Sequence, residues 1–149
     1  MSHQVLLYHI IFRTKGSVLA LDERQELKLY AYINGLCINK GCKLYRVGGM
    51  PDHIHMLVSI PTKYSLSEFM KVLKVETNKW IKESNLFPLF TGWGRGYAVF
   101  TYSMSEKQTV FNYIVNQKNH HKHISFTNEF HDTLKSFGIN PDDDDFFED

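Results

Sequence analysis

Nowhere in the 149 residues does an apolar run approach the roughly 18 positions that a membrane-spanning helix needs. The N-terminal run in MSHQVLLYHIIFRTK ends in charge after about eight residues and has no small-residue cleavage site. Neither a span nor a secretory leader is expected, and the chain is expected to be cytoplasmic. Cysteine is scarce: Cys37 and Cys42 have no second pair with which to make a zinc ribbon or a disulfide framework, so they read as buried free thiols. No HExxH and no comparable carboxylate spacing occurs, which argues against a zinc hydrolase built on the histidines.

What is present describes one folded domain. Hydrophobic residues make up 43% and aromatics 14%, and the length suffices for one core but is short for two. The net charge of +1 conceals an asymmetry. Asp142, Asp143, Asp144, Asp145, Glu148 and Asp149 crowd the end, leaving 17 basic against 10 acidic groups before them, a surplus of +7. Residues 1–140 therefore read as a single domain with a polyanion-attracting balance, and residues 141–149 as an acidic, solvated or self-competing tail.

The patterning alternates between strands and helices. Val5 to Arg13 is apolar on both faces, as in a central strand. Asp22 with Gln25 forms a capping box opening a helix to about Asn39, where Gly41 stops it. Cys42 to Val47 and His53 to Ile60 are strands flanking the turn GGMPD. Ser65 with Glu68 caps a second helix whose Leu66, Phe69, Met70, Leu73, Thr77, Trp80 and Ile81 share one face. After a loop rich in Phe, Pro and Gly come a strand from Tyr97 to Met104, a long helix capped by Ser105 and Gln108 and running through about Asn119, and a short helix from Ser125 to Phe137. The order is β-α-β-β-α-β followed by helices, an α+β fold of the split β-α-β kind.

Alternation on the third strand puts His53 and His55 on one face and the wholly apolar Ile54, Met56, Val58 and Ile60 on the other, under the crossover helices. The histidines are then expected to look out from the uncovered face. Two same-face imidazoles can converge on one ion; they can equally be polar surface. On the following helix Tyr113 and Gln117 are four apart and share a face, with His120 beyond them. Beside Val110 and Ile114, Tyr113 reads either as core or as a phenol presented to the sheet.

The combination YHIIFRTK, GGMPDHIHMLVSIP, WGRGY and YIVNQKNHH resembles the single-tyrosine HUH transposases of the insertion-sequence-200 type, a set that includes REP-associated transposases. The resemblance runs from about Tyr8 to Asn140. It implies a ferredoxin-like antiparallel sheet with the HUH motif on its open face and a C-terminal helix carrying the nucleophile. Tyr113 matches that nucleophile, His53 and His55 match the histidine pair, and Gln117 matches the third metal ligand. It further implies Mg²⁺ or Mn²⁺, single-stranded DNA with hairpins near element ends, and a homodimer in which each tyrosine helix completes the partner's site, although REP-associated members can be monomeric.

Tyrosine is a weak nucleophile at neutral pH, so a metal that polarises the phosphate suits it. Two imidazoles and an amide bring no negative charge, so weak metal binding is expected without DNA. Asp52, just before the motif, is either an acceptor that fixes a histidine tautomer or turn chemistry. Candidate DNA contacts are Arg13, Lys15, Arg95, His120 and His121, while the lysines of the second helix read as a solvated face. Trp93 and Tyr97 read as base-stacking or as loop packing. The alternative function is a non-cutting hairpin or single-strand binder descended from such a transposase.

Overall fold

The structure, a computed structural model, describes residues 3–148. Four strands, β1 (Leu7–Arg13), β2 (Lys43–Met50), β3 (His53–Ser59) and β4 (Ala98–Tyr102), form one antiparallel sheet in the order β2-β3-β1-β4. Two long helices, α1 (Glu26–Asn39) and α2 (Leu66–Ser84), make the crossovers, and α3 (Lys107–Val115), α4 (Gln117–His120) and α5 (Phe126–Ser136) follow the last strand. This is the α+β, ferredoxin-like split β-α-β arrangement expected from the sequence. Among the described residues no helix is long and apolar enough to cross a membrane.

The sheet buries both faces. Ile10, Phe12, Ile54, Met56 and Val58 meet Leu29 and Ile33 of α1 and Phe69, Met70, Leu73 and Ile81 of α2. Each fully buried aliphatic side chain of this kind contributes about 2 kcal/mol. Cys37 lies in the same cluster, and burial pushes its thiol up to about 12, so it is inert at neutral pH. Two smaller clusters occupy the other face: Leu7 and Leu57 with Val110 and Ile114 of α3, and Ile11 and Phe100 with Phe126, Phe130 and Leu134 of α5 and Phe146 of the tail.

That second layer corrects one expectation. His53 and His55 do lie opposite the crossover helices, but that face is roofed by α3 and α5, and both residues are 0% exposed. The tail is likewise not wholly solvated, since Phe146 turns back and is buried against Phe130. Apolar stripes on short terminal helices do not by themselves say which surface they cover.

Local signals held unevenly. Ser65 Oγ accepts from the Glu68 amide at 3.1 Å, and Ser125 Oγ accepts from the Asn128 amide at 3.2 Å, starting α2 and α5 as expected. The Asp22 capping box does not form: its carboxylate accepts from the backbone and guanidinium of Arg24, and α1 begins four residues later at Glu26. The box before α3 is Ser103 with Glu106 rather than Ser105 with Gln108.

The β2-β3 hairpin depends on Gly49. A Cβ there would overlap the His53 carbonyl oxygen and crowd the Ile54 backbone, neither of which can yield without breaking the ladder. Gly49→Ala is expected to destabilise the fold by about 3 kcal/mol, read as a lowered midpoint in urea denaturation. An unchanged midpoint would show that the hairpin relaxes freely.

Candidate active site

The period of β3 delivers His53 and His55 to the same face, and each ring is held from behind. His53 Nδ1 lies 2.7 Å from Asp52 Oδ1, and His55 Nδ1 lies 2.8 Å from His9 Nε2. With the proton on Nδ1 donated to these acceptors, each Nε2 keeps a lone pair directed inward. Burial lowers His55 to about 4, with the neighbouring histidines adding to the effect and Glu129 opposing it, so the ring is neutral at physiological pH. Asp52 is thus both a turn residue and the partner of His53.

His9 had no role assigned from the sequence, although the signal was there. In the antiparallel register Ile11 opposes His55 and Arg13 opposes His53, so His9, two residues before Ile11, shares their face. Burial also holds its imidazole well below the ordinary histidine value.

Helix α3 seats Val110 and Ile114 on Leu7 and Leu57, which carries Tyr113 over the histidines. The Tyr113 ring stands 5.7 Å from that of His55 and 6.0 Å from that of His9, edge-on to both. A groove of about 230 Å³ bounded by His9, Tyr102, Thr109 and Thr133 opens onto it. Burial, followed by the proximity of Glu129, raises the phenol above the usual tyrosine range, so it is protonated at neutral pH. The helix breaks at Asn116, and Gln117 begins α4 with its Oε1 3.4 Å from His53 Nε2 and 3.0 Å from His121 Nε2.

Glu129 was not foreseen. The stripe Phe126, Phe130 and Leu134 on α5 packs against Ile11 and Phe100, and this seating turns Glu129, between Phe126 and Phe130, into the site. Phe126 stacks on His53 with ring centroids 3.6 Å apart. The Glu129 carboxylate lies 3.4 Å from His55 Nε2, 3.0 Å from His120 Nε2 and 3.2 Å from His121 Nε2. Burial alone would raise its carboxyl, but His121, His55 and Tyr113 outweigh that and hold it well below the usual carboxylate range. Only the placement of α5, which no local pattern encodes, could have identified it.

His53, His55 and Glu129 each offer one ligand atom, all within 4.8 Å of one another. Both Glu129 oxygens, His55 Nε2 and Gln117 Nε2 are buried without a well-formed hydrogen bond among the described residues. Buried donors and acceptors left in that state are costly, and their convergence fits a bound cation.

The candidate DNA contacts separate. Lys15 and Arg95 are exposed. Arg13 is 1% exposed, and its guanidinium donates to the carbonyls of Phe146 and Thr14, so it faces the interior. His120 and His121 both reach Glu129, His121 with its side chain 5% exposed and His120 with 37% still exposed. Arg95 borders a shallow groove with Asp144, Asp145 and Glu148 of the tail. Trp93 packs on Phe12 and Phe90 and donates to Thr77 Oγ1 at 2.9 Å, which makes it loop packing. Lys74 donates to the carbonyls of Gly94 and Gly96 and pins the same loop.

Comparison with known proteins adds to this geometry. The family model described as "Transposase IS200 like" matches residues 2–117. The transposases for insertion sequence element IS200 of Salmonella typhimurium LT2 and Salmonella typhi are each 33% identical over 76 residues, 51% of this chain and 50% of theirs. The match thus spans about half the length of these curated relatives. Among solved structures, a candidate transposase from Deinococcus radiodurans R1 superposes with a TM-score of 0.62 at 25% identity, covering 78% of this chain and 93% of that one. A REP-associated tyrosine transposase bound to a REP hairpin gives the same TM-score, 0.62, at 12% identity, covering 100% of this chain and 93% of that one; this likeness is one of fold. With the family model matched over residues 2–117, the greater part of its length, the chain belongs to the IS200-like transposase family.

Proposed function

We propose that this chain cleaves and rejoins single-stranded DNA carrying hairpins at element ends, with Tyr113 as nucleophile and with His53, His55 and Gln117 holding Mg²⁺ or Mn²⁺. The observation that carries the reading is the 5.7 Å separation of the Tyr113 and His55 rings within one chain. That proximity supports a cis arrangement of nucleophile and histidine pair; the homodimer that the resemblance implies remains the assembly in which the tyrosine would act in trans. We take residues 1–140 as a single cytoplasmic transposase domain and residues 141–149 as its acidic tail.

Tyr113 Oη attacks the scissile phosphorus, an O–P bond forms, and the bond to the 3′ oxygen breaks. The phenol enters protonated and releases its proton as the O–P bond forms, while the departing oxygen takes one up as a free 3′-hydroxyl. The DNA is left joined to Tyr113 through its 5′ phosphate. His53, His55 and Gln117 would hold a divalent ion, which would supply Lewis-acid polarisation of the phosphate. His9 and Asp52 hold the two imidazoles in the orientation described above, and the aromatic roof of Phe126 excludes water from His53. Exposed Lys15 and Arg95 are suited to backbone phosphates.

One phosphodiester replaces another, so the step is reversible without nucleotide energy. Adding an oligonucleotide with a free 3′-hydroxyl to the isolated adduct is expected to release the protein and produce a joined strand in the absence of ATP, seen as a longer band on a denaturing gel. Release of only a free 5′-phosphate end would mean hydrolysis and would contradict strand transfer.

A further inference from the structure

The structure assigns to Glu129 the role of an anionic ligand of the divalent ion, so that the metal set comprises two imidazoles, an amide and a carboxylate. This rests on the reading above and adds to it a residue outside the span that matches the family model, since α5 begins after residue 117.

His53 and His55 are 0% exposed and Glu129 4%. A dication surrounded there by neutral donors alone would carry its whole charge in a medium that solvates it poorly, at a large cost. One carboxylate halves that charge, and one phosphodiester from the substrate cancels the rest. The carboxylate is already in place: its nearer atom lies within 4.8 Å of the ligating nitrogens of His53 and His55, while His120 and His121 approach the other oxygen at 3.0 and 3.2 Å and hold the group from behind. Its position is fixed by packing, because Phe126 stacks on His53 and Phe130 on Phe146. Two histidines with one carboxylate are an established donor set for first-row divalent ions.

The consequence is that the protein binds metal before DNA, contrary to what neutral ligands alone imply. Titrating the full-length, DNA-free protein with Mn²⁺ and following the free-ion electron paramagnetic resonance signal is expected to show one site of micromolar affinity. Glu129→Gln should weaken it at least about 100-fold, Glu129→Asp about 10-fold, and Gln117→Ala less than about 10-fold. Circular dichroism melts establish that each variant is folded. If Glu129→Gln does not fold, Glu129→Asp decides, and affinity equal to that of the unaltered chain would overturn the assignment. So would a Glu129→Gln variant that binds as well as the parent, or a parent that leaves Mn²⁺ free at millimolar concentration. If His53→Ala loses the ion while Glu129→Gln keeps it, the carboxylate assignment fails and the histidine pair stands. If no variant, His53→Ala included, changes binding, the metal-dependent reading fails as well.

Discussion

Tyr113→Phe is expected to eliminate the covalent protein–DNA adduct, a loss of at least about 10³-fold in cleavage rate, while leaving hairpin binding and thermal stability nearly unchanged. The substitution removes one oxygen and keeps the ring. That ring makes edge contacts with His9, His55 and His120, all of which Phe reproduces. The phenol is only half-buried and opens onto a groove, so its loss should alter stability by about 1 kcal/mol or less. No isosteric effect on packing can then account for a missing product. An oligonucleotide labelled at its 3′ end reports the result, because the fragment bearing the 5′ phosphate is the one retained on tyrosine. A Tyr113→Phe protein that still shifts the label would assign the nucleophile elsewhere.

The second large effect is expected at His55, and its signature differs. His55→Ala should reduce adduct formation at least about 10²-fold and also lower stability by roughly 2–4 kcal/mol. The ring fills the centre of β3, and its removal leaves His9 Nε2 without its 2.8 Å partner in a buried setting. Its neutrality matters too, since lowering to about 4 leaves the Nε2 lone pair free across the physiological range. The sign of the pH dependence follows. The unfolded chain takes up a proton near the ordinary histidine value that the folded one refuses, so stability falls as pH drops from about 6.5 toward about 4. His55→Ala should flatten that part of the acid unfolding curve, measured without added metal. If the histidine were structural only, stability would fall but the folded fraction would retain full activity per molecule.

These expectations show where the sequence was legible. The alternation of β3, the Ser65 cap and the helix start at Ser125 are local signals, and each element they mark formed, whereas the single helix expected to carry both Tyr113 and Gln117 breaks at Asn116. Boundaries were weaker where a competing local bond was available: Asp22 is spent on Arg24, so α1 starts later, and Ser103 rather than Ser105 caps the turn before α3. The roof over the histidines was not legible, because an amphipathic helix declares that it has an apolar face without declaring what that face meets. Glu129 follows from that gap. Its role depends on Phe126, Phe130 and Leu134 choosing the face of Ile11 and Phe100, a tertiary choice. Arg13 illustrates the converse, a strand-end cation that charge patterning offers to DNA and that the fold turns inward to the Phe146 carbonyl.

Tyr113 is thus proposed as the nucleophile that takes the DNA 5′ phosphate in a transfer assisted by the histidine pair. This role is tested most directly by incubating the full chain and Mn²⁺ with single-stranded oligonucleotides from both flanks and both strands of its gene, then sequencing the trapped peptide by tandem mass spectrometry. The predicted result is a peptide in which Tyr113 carries a 5′-phosphonucleotide, absent when His55 is alanine. Hairpin binding with no adduct on any strand, or an adduct mapped to another residue such as Tyr102, would contradict it.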